Sequence, residues 1–307
     1  MPEAVSVVDE AHGDDVKTVS RRKWLQKVLI GMVVLVASDL SSGLSAQSGS
    51  LKSVQVDGFE LFYECRGTGP AVVFAHGAAG THLSWWRQIP FFADHFRCVT
   101  FDHRGFGRSR DVGDKPGRLS FVEDLRDLLD HLDIQKAALV GQSMGGWTTL
   151  GFASSFPERV TALVMCDSPG GYTNSGVDLL MAARFGDRGV FAKSFREQEP
   201  ELAFLFDEIQ RSTIARTTDD RPVAVEGLFS APVDLASVIE NKIPTFFIVG
   251  EEDSIFPPAF IEAVHRDIPD SELAVIPDAG HSVYFERPKV FNRLVIEFLK
   301  RYASGVR

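Results

Sequence analysis

"LVGQSMGGWTTLGFA", Leu139 to Ala153, sets one polar residue, Ser143, among glycines at 141, 145 and 146, between an apolar run ending at Val140 and a stretch of helical character. When a strand turns sharply into a helix, the residue at the turn is held in a strained backbone conformation and its side chain projects from the sheet edge. Flanking side chains would collide there, so glycines two positions to either side relieve the clash. Ser143 is therefore expected exposed at a helix N-terminus, with the Met144 backbone N–H free to bind an anion. With 26 glycines in the chain, a chance Gly-x-Ser-x-Gly is expected on the order of one time in ten to one in five, so the surroundings must decide its meaning.

Those surroundings are short apolar runs without alternation: "AVVFA" (71–75), "RCVTF" (97–101), "KAALVG" (136–141), "VTALVMC" (160–166), "IPTFFIVG" (243–250) and "SELAVI" (271–276). Helix-length amphipathic segments separate them, such as "LSFVEDLRDLLDHL", in which Phe121, Leu125, Leu128, Leu129 and Leu132 keep the spacing of one buried face, and "KVFNRLVIEFLKRY" near the C-terminus. Continuous apolar strands alternating with helices predict an α/β fold with a mostly parallel, doubly wound sheet covered on both faces. Ahead of it, "SVQVDGFELFYECRG" alternates about Asp57-Gly58 and predicts an antiparallel hairpin. Between Ser168 and Lys242 the alternation stops, and about seventy residues of apolar, helix-like pieces read as an inserted helical lid. The predicted layout is an N-terminal segment and linker over 1–50, a core over 51–167 and 243–307, and a lid over 168–242.

A serine hydroxyl is a poor nucleophile at neutral pH and needs a base in hydrogen-bond reach, itself oriented by an acid. Beyond the lid, "TFFIVG" runs into "EEDSIFPP", which puts Asp253 in a loop after a strand, and "ELAVIPDAGH" leads in the same way to His281. Both loops leave carboxyl ends of parallel strands, the side from which Ser143 emerges, so the three side chains can converge. Asp167, at the end of "VTALVMC", is the runner-up acid; Glu251, Glu252 and Asp278 are also near.

Ser143, Asp253 and His281 occur in the order of the α/β-hydrolase family, which the chain resembles from about Ser53 to its C-terminus. "HGAAG" from His76 and "DHRGFGRS" from Asp102 look like that family's oxyanion loop and the segment after its fourth strand, and "DAGHSVYFERP" precedes the final helix as in its members. The resemblance implies that Ala78 supplies a second oxyanion N–H beside Met144. It implies an acyl-enzyme hydrolase of carboxylic esters or lactones; the "SMGG" turn also resembles carbon–carbon bond hydrolases of ring-cleavage diketones. A ligand receptor on the same fold is the non-enzymatic alternative, and a cofactor-free haloperoxidase side activity stays open. Haloalkane and epoxide chemistry would need an aspartate at position 143.

For the substrate, Trp85 and Trp147 beside the two site loops are the expected contacts, with Trp86 near them, and plain core is the alternative for each. From the lid, Met181, Phe185, Phe191, Phe195, Phe204 and Phe206 serve either as an apolar pocket or as plain core. Arg104, Arg108 or Arg184 could reach a substrate carboxylate. His76 and His103 read as structural. No pair among the eight histidines has metal-ligand spacing, and the glycine loops lack the partners of a phosphate or dinucleotide site, so neither metal nor cofactor is expected.

The remaining signals concern surroundings and partners. A net charge of −10 would repel phosphate backbones and anionic lipid, which makes nucleic acid a poor partner; a small molecule is the expected one. Cys65, Cys98 and Cys166 are too few and scattered for a disulfide framework, and each lies in a strand-like run where inert buried thiols are common. Arg21-Arg22, the apolar run Val28–Ala37 and the small residues Leu44-Ser45-Ala46 form a signal-peptide pattern resembling the twin-arginine export signal, with Trp24 where that signal prefers Phe. Export to a periplasmic or extracellular space is the expectation, with a cytoplasmic chain as alternative. Membrane contact is expected only through an uncleaved N-terminal segment, since ten apolar residues are too few to span comfortably. Oligomeric state is not legible.

Overall fold

The sheet begins with the hairpin. β1 (Lys52–Val56) and β2 (Phe59–Arg66) pair antiparallel with Val56 opposite Phe59, and the turn residues Asp57 and Gly58 have φ of 39° and 86°. Two successive positive φ values give a two-residue turn the twist of the strands it joins. A computed structural model describes residues 50–78, 80–110, 120–175, 189–213 and 233–303; the export-signal segment and Met181, Arg184 and Phe185 lie outside the described residues.

The six apolar runs each become a strand: β3 (Ala71–Ala75), β4 (Arg97–Phe101), β5 (Ala137–Gln142), β6 (Val160–Cys166), β7 (Thr245–Gly250) and β8 (Glu272–Ile276). Across the sheet the order is β1-β2-β4-β3-β5-β6-β7-β8, with β2 antiparallel to β4 and every pair from β4 to β8 parallel. This is the mostly parallel, doubly wound α/β sheet expected. The longer helices are α1 (Phe121–His131), α2 (Met144–Ser155), α3 (Pro200–Thr213), α4 (Pro258–His265) and α5 (Pro288–Tyr302).

Neighbours along a strand enter opposite cores. Val73, Leu139, Leu163 and Phe247 pack with Phe121, Leu125 and Leu128 of α1, Leu150 of α2 and Ile261 of α4. Val72, Val140, Val164 and Ile248 pack on the other face with Phe92 and with Phe291, Val295 and Phe298 of α5. Each large side chain so buried stabilises the fold by about 1.5–3 kcal/mol relative to exposure, which is why these strands carry no polar alternation. β8 departs from the expectation of full cover: it is the edge of the sheet, and its Val275 is 40% exposed. Cys98 and Cys166 are buried and Cys65 half-buried, all free thiols, and burial pushes Cys98 up to about 12.

Between β6 and β7, the described part of the insert holds α3 and the short helices Phe195–Gln198 and Ala236–Glu240. Phe191 meets Phe195 and Phe206, and all three meet Phe285, with ring centroids 4.6 to 6.4 Å apart, so these insert aromatics join it to the segment after β8. Phe204 instead faces solvent, 63% exposed, because it lies off the stripe of Ala203, Phe206 and Ile209 that α3 buries. Among the described residues, no helix is long and apolar enough to cross a membrane.

Candidate active site

Ser143 joins β5 to α2 with φ 49° and ψ −117°, a left-handed conformation costly for any residue with a Cβ. Both neighbours of the turn hold it there. Its N–H donates to the Cys166 carbonyl at 3.0 Å, and its carbonyl accepts from Ser168 Oγ at 2.7 Å. Gly145 must lack a side chain, since a methyl there would overlap the Ala75 carbonyl at the end of β3. The close packing that forces glycine into the pattern is thus strand β3 pressing on the first turn of α2.

His281 and Asp253 reach the serine from the loops after β8 and β7. His281 Nε2 lies 2.9 Å from Ser143 Oγ, and its Nδ1 lies 2.9 Å from Asp253 Oδ2. Asp253 and His281 are buried. The other Asp253 oxygen, Oδ1, accepts from the N–H groups of Ile255 at 2.8 Å and Phe256 at 2.9 Å, which fixes the carboxylate in its own loop. Gln142 Nε2 donates to the His281 carbonyl at 2.9 Å, tying the histidine turn to the end of β5. A base bonded to a hydroxyl on one ring nitrogen and to a carboxylate on the other is the arrangement that serine activation requires.

Asp167, the other candidate acid, sits at the end of β6 with φ 49°. Its Oδ1 accepts from Gly250 N–H at 3.1 Å and its Oδ2 from Val283 N–H at 3.2 Å and Cys166 Sγ at 3.1 Å. Burial, with the nearby Asp253 charge adding to it, pushes Asp167 up to about 7. Its oxygens serve backbone groups, whereas Asp253 meets the imidazole.

Ala78 and Ser143 line one small cavity with Gly77, His281, Ser84 and Tyr284, and Val190, Phe206, Ile209 and Gln210 of the insert line it too. Its volume is about 30 Å³, room for a water or two. Met144 is buried and is not among the residues lining the cavity; its N–H is in the first turn of α2, where donors have no intrahelical acceptor. A larger cavity of about 510 Å³ lies beside the acid loop, between Val190–Lys193 and Glu251–Ser254.

Two expected substrate contacts are corrected. Trp85 is fully buried, with its ring 5.3 Å from Phe74, 4.8 Å from Tyr284 and 6.3 Å from Phe291; it is core that props up the loop. Trp147 points into the opposite core beside Phe256, at 5.8 Å. Neither lines the serine cavity. Sequence adjacency placed them near the site without saying which way a short turn or a helix would aim them. Ser84, Tyr284 and Gln210 do line it; Tyr284 had a signal, three residues after His281, while Gln210 had none.

The structural reading of the other histidines fits their bonds. His76 Nδ1 lies 2.7 Å from the Gly77 carbonyl, His103 N–H donates to His76 Nε2 at 3.0 Å, and His103 Nε2 lies 2.9 Å from Thr148 Oγ1. Burial pushes His76 down to about 4 and His103 well below the ordinary histidine range. Arg104 is occupied by Asp124, at 3.0 and 2.5 Å, and lies over the Phe59 ring at 4.0 Å, so it is a buried strut rather than a substrate anchor. Arg108 is exposed.

Comparison with known proteins follows the same lines. A family model described as alpha/beta hydrolase fold matches residues 70–193 and 189–288. A curated relative, the 2-hydroxy-6-oxononadienedioate/2-hydroxy-6-oxononatrienedioate hydrolase of Comamonas testosteroni, is 28% identical over 286 residues, 85% of this chain and 99% of that protein. A thermophilic esterase from Thermogutta terrifontis superposes with TM-score 0.69 at 27% identity, covering 82% of this chain and 98% of the esterase. Est816, described as an N-acyl homoserine lactone degrading enzyme, superposes with TM-score 0.66 at 25% identity, over 80% of this chain and 100% of its own.

Proposed function

The chain belongs to the α/β-hydrolase fold family and is a hydrolase, and we propose that it cleaves a carboxylic ester or lactone of a small, mainly apolar substrate through an acyl-enzyme on Ser143. The observation that carries this reading is the unbroken line from Ser143 Oγ to His281 Nε2, 2.9 Å, and from His281 Nδ1 to Asp253 Oδ2, 2.9 Å. His281 takes the hydroxyl proton as Ser143 Oγ attacks the acyl carbon. Asp253 holds the imidazole in the needed tautomer and stabilises its cationic form. The Met144 and Ala78 N–H groups bind the developing oxyanion, where each such donor is worth ~3 kcal/mol in the transition state. His281 then returns the proton to the leaving alkoxide; water, deprotonated by the same ring, attacks the acyl carbon and restores the serine.

Val190, Phe206 and Ile209 put apolar side chains at the cavity beside the serine, which supports a mainly apolar substrate. The second reading, carbon–carbon bond cleavage of a ring-cleavage diketone, is favoured by the similarity to the Comamonas testosteroni hydrolase. The base hydrogen-bonded to the serine argues against the non-enzymatic alternative. For localisation, the Arg21-Arg22 pattern supports export, tested by fractionating cells that express the full chain.

Labelling by a fluorophosphonate, followed by turnover on panels of acyl-chain-length esters, aryl esters, lactones and a dienol diketone, tests the proposal. Ser143→Ala is expected to lose both labelling and turnover, by ~10⁶-fold in kcat, at an unchanged fold. Residual turnover within tenfold of the parent overturns it; activity on the dienol substrate with little on esters selects the second reading.

A further inference from the structure

Glu286 is the buried acid of "DAGHSVYFERP"; the mechanism above does not use it. Its Oε1 accepts from Gly280 N–H at 2.9 Å and from Ser282 N–H at 3.3 Å, the two residues on either side of His281. Its Oε2 accepts from Ala192 N–H at 2.7 Å, 94 residues away in the insert. A carboxylate that only capped the turn Val283–Glu286 would need the first oxygen alone. The second reaches across to the strip Val190–Lys193, whose Val190 walls the serine cavity and whose Phe191 packs on Phe285. The two segments touch so closely that a methyl on Gly280 would overlap the Phe191 and Ala192 backbone.

We propose that Glu286 is a positioning residue that fastens the His281 turn to the insert strip Val190–Lys193, so that the base is aligned on Ser143 only while the strip is seated beside the cavity. The role rests on the serine-hydrolase reading above. The chemistry of the residue fits it: three N–H donors converge on two oxygens, and only a carboxylate offers acceptors on both. Burial pushes Glu286 up to about 7 even though those N–H groups pull it down, a cost that a surface cap would not carry. With the Val283 N–H held by Asp167, the amides of 280, 282 and 283 around the base all end on buried carboxylates.

Glu286→Gln separates the two sides, because its single amide oxygen can serve either the histidine turn or Ala192 and its NH₂ must face the other donor. Turnover of p-nitrophenyl acetate, normalised to active sites counted by fluorophosphonate labelling, is expected to fall ~10- to 100-fold in kcat with KM within ~2-fold, the signature of a misplaced base rather than lost binding. A lowered Tm with kcat per labelled site unchanged overturns the proposal. Should the variant not fold, amide hydrogen exchange on the parent protein decides: Ala192, Gly280 and Ser282 are expected to be protected together, and Ala192 exchanging at the rate of an exposed loop overturns it. A parent protein that neither labels at Ser143 nor turns over any ester instead removes the functional reading and leaves the exchange result standing as the test of the clamp.

Discussion

Two neighbouring parallel strands, β6 and β7, each lead into a buried aspartate near His281, and only one of the two acids meets the imidazole. Asp253 spends Oδ1 on two N–H groups of its own loop and presents Oδ2 to the ring. Asp167 spends Oδ1 on the end of β7 and Oδ2 on Val283, so it splints the loops that carry Asp253 and His281. The partner of each oxygen, more than position in the sheet, separates an acid that tunes the base from one that holds its platform.

The division can be broken most sharply at Asp253. Asp253→Asn is expected to cost ~10⁴-fold in kcat for p-nitrophenyl acetate, because the amide favours the wrong tautomer of the ring. Retention of more than a tenth of the parent rate would mean that Asp167 takes over. Asp167→Asn should cost less, ~10-fold in kcat, through the loops alone.

The same variant sharpens the contrast by pH. The folded pKa of Asp167, about 7, lies above its ordinary 3.8, so its share of stability is full below about pH 4 and is lost as pH rises toward and past 7. Urea unfolding should therefore show the asparagine variant gaining on the parent between pH 5 and pH 8; a pH-independent difference counts against the splint being a buried, reluctant acid. Smallest of all, Cys166→Ala removes the Sγ contact to Asp167 and leaves Asp253 untouched, so kcat should stay within ~2-fold while Tm falls by a few degrees.

Much of this site was legible in the sequence because it rests on short-range rules. Apolar runs of strand length, the Asp57-Gly58 turn and the glycines about Ser143 each follow from local sterics, and loops after parallel strands must open on one edge. That was enough to bring Ser143, Asp253 and His281 together. Choosing between Asp253 and Asp167 by bonding required coordinates, since it depends on which backbone N–H groups claim each oxygen. Nearness in sequence leaves the aim of Trp85 and Trp147 open between pocket and core, and Gln210 carries no signal because α3 advertises only the stripe it buries. Glu286 was in view as part of a motif, but its reach to Ala192 is a long-range fact.

Ser143 and His281 stand 138 positions apart in the chain, with β6, the insert, β7 and β8 between them. During synthesis Ser143 therefore leaves the ribosome well before His281. On the proposed mechanism, a chain ended before His281 carries Ser143 as an unactivated alcohol. Activation of Ser143 then waits until the loop after β8 has brought His281 to it.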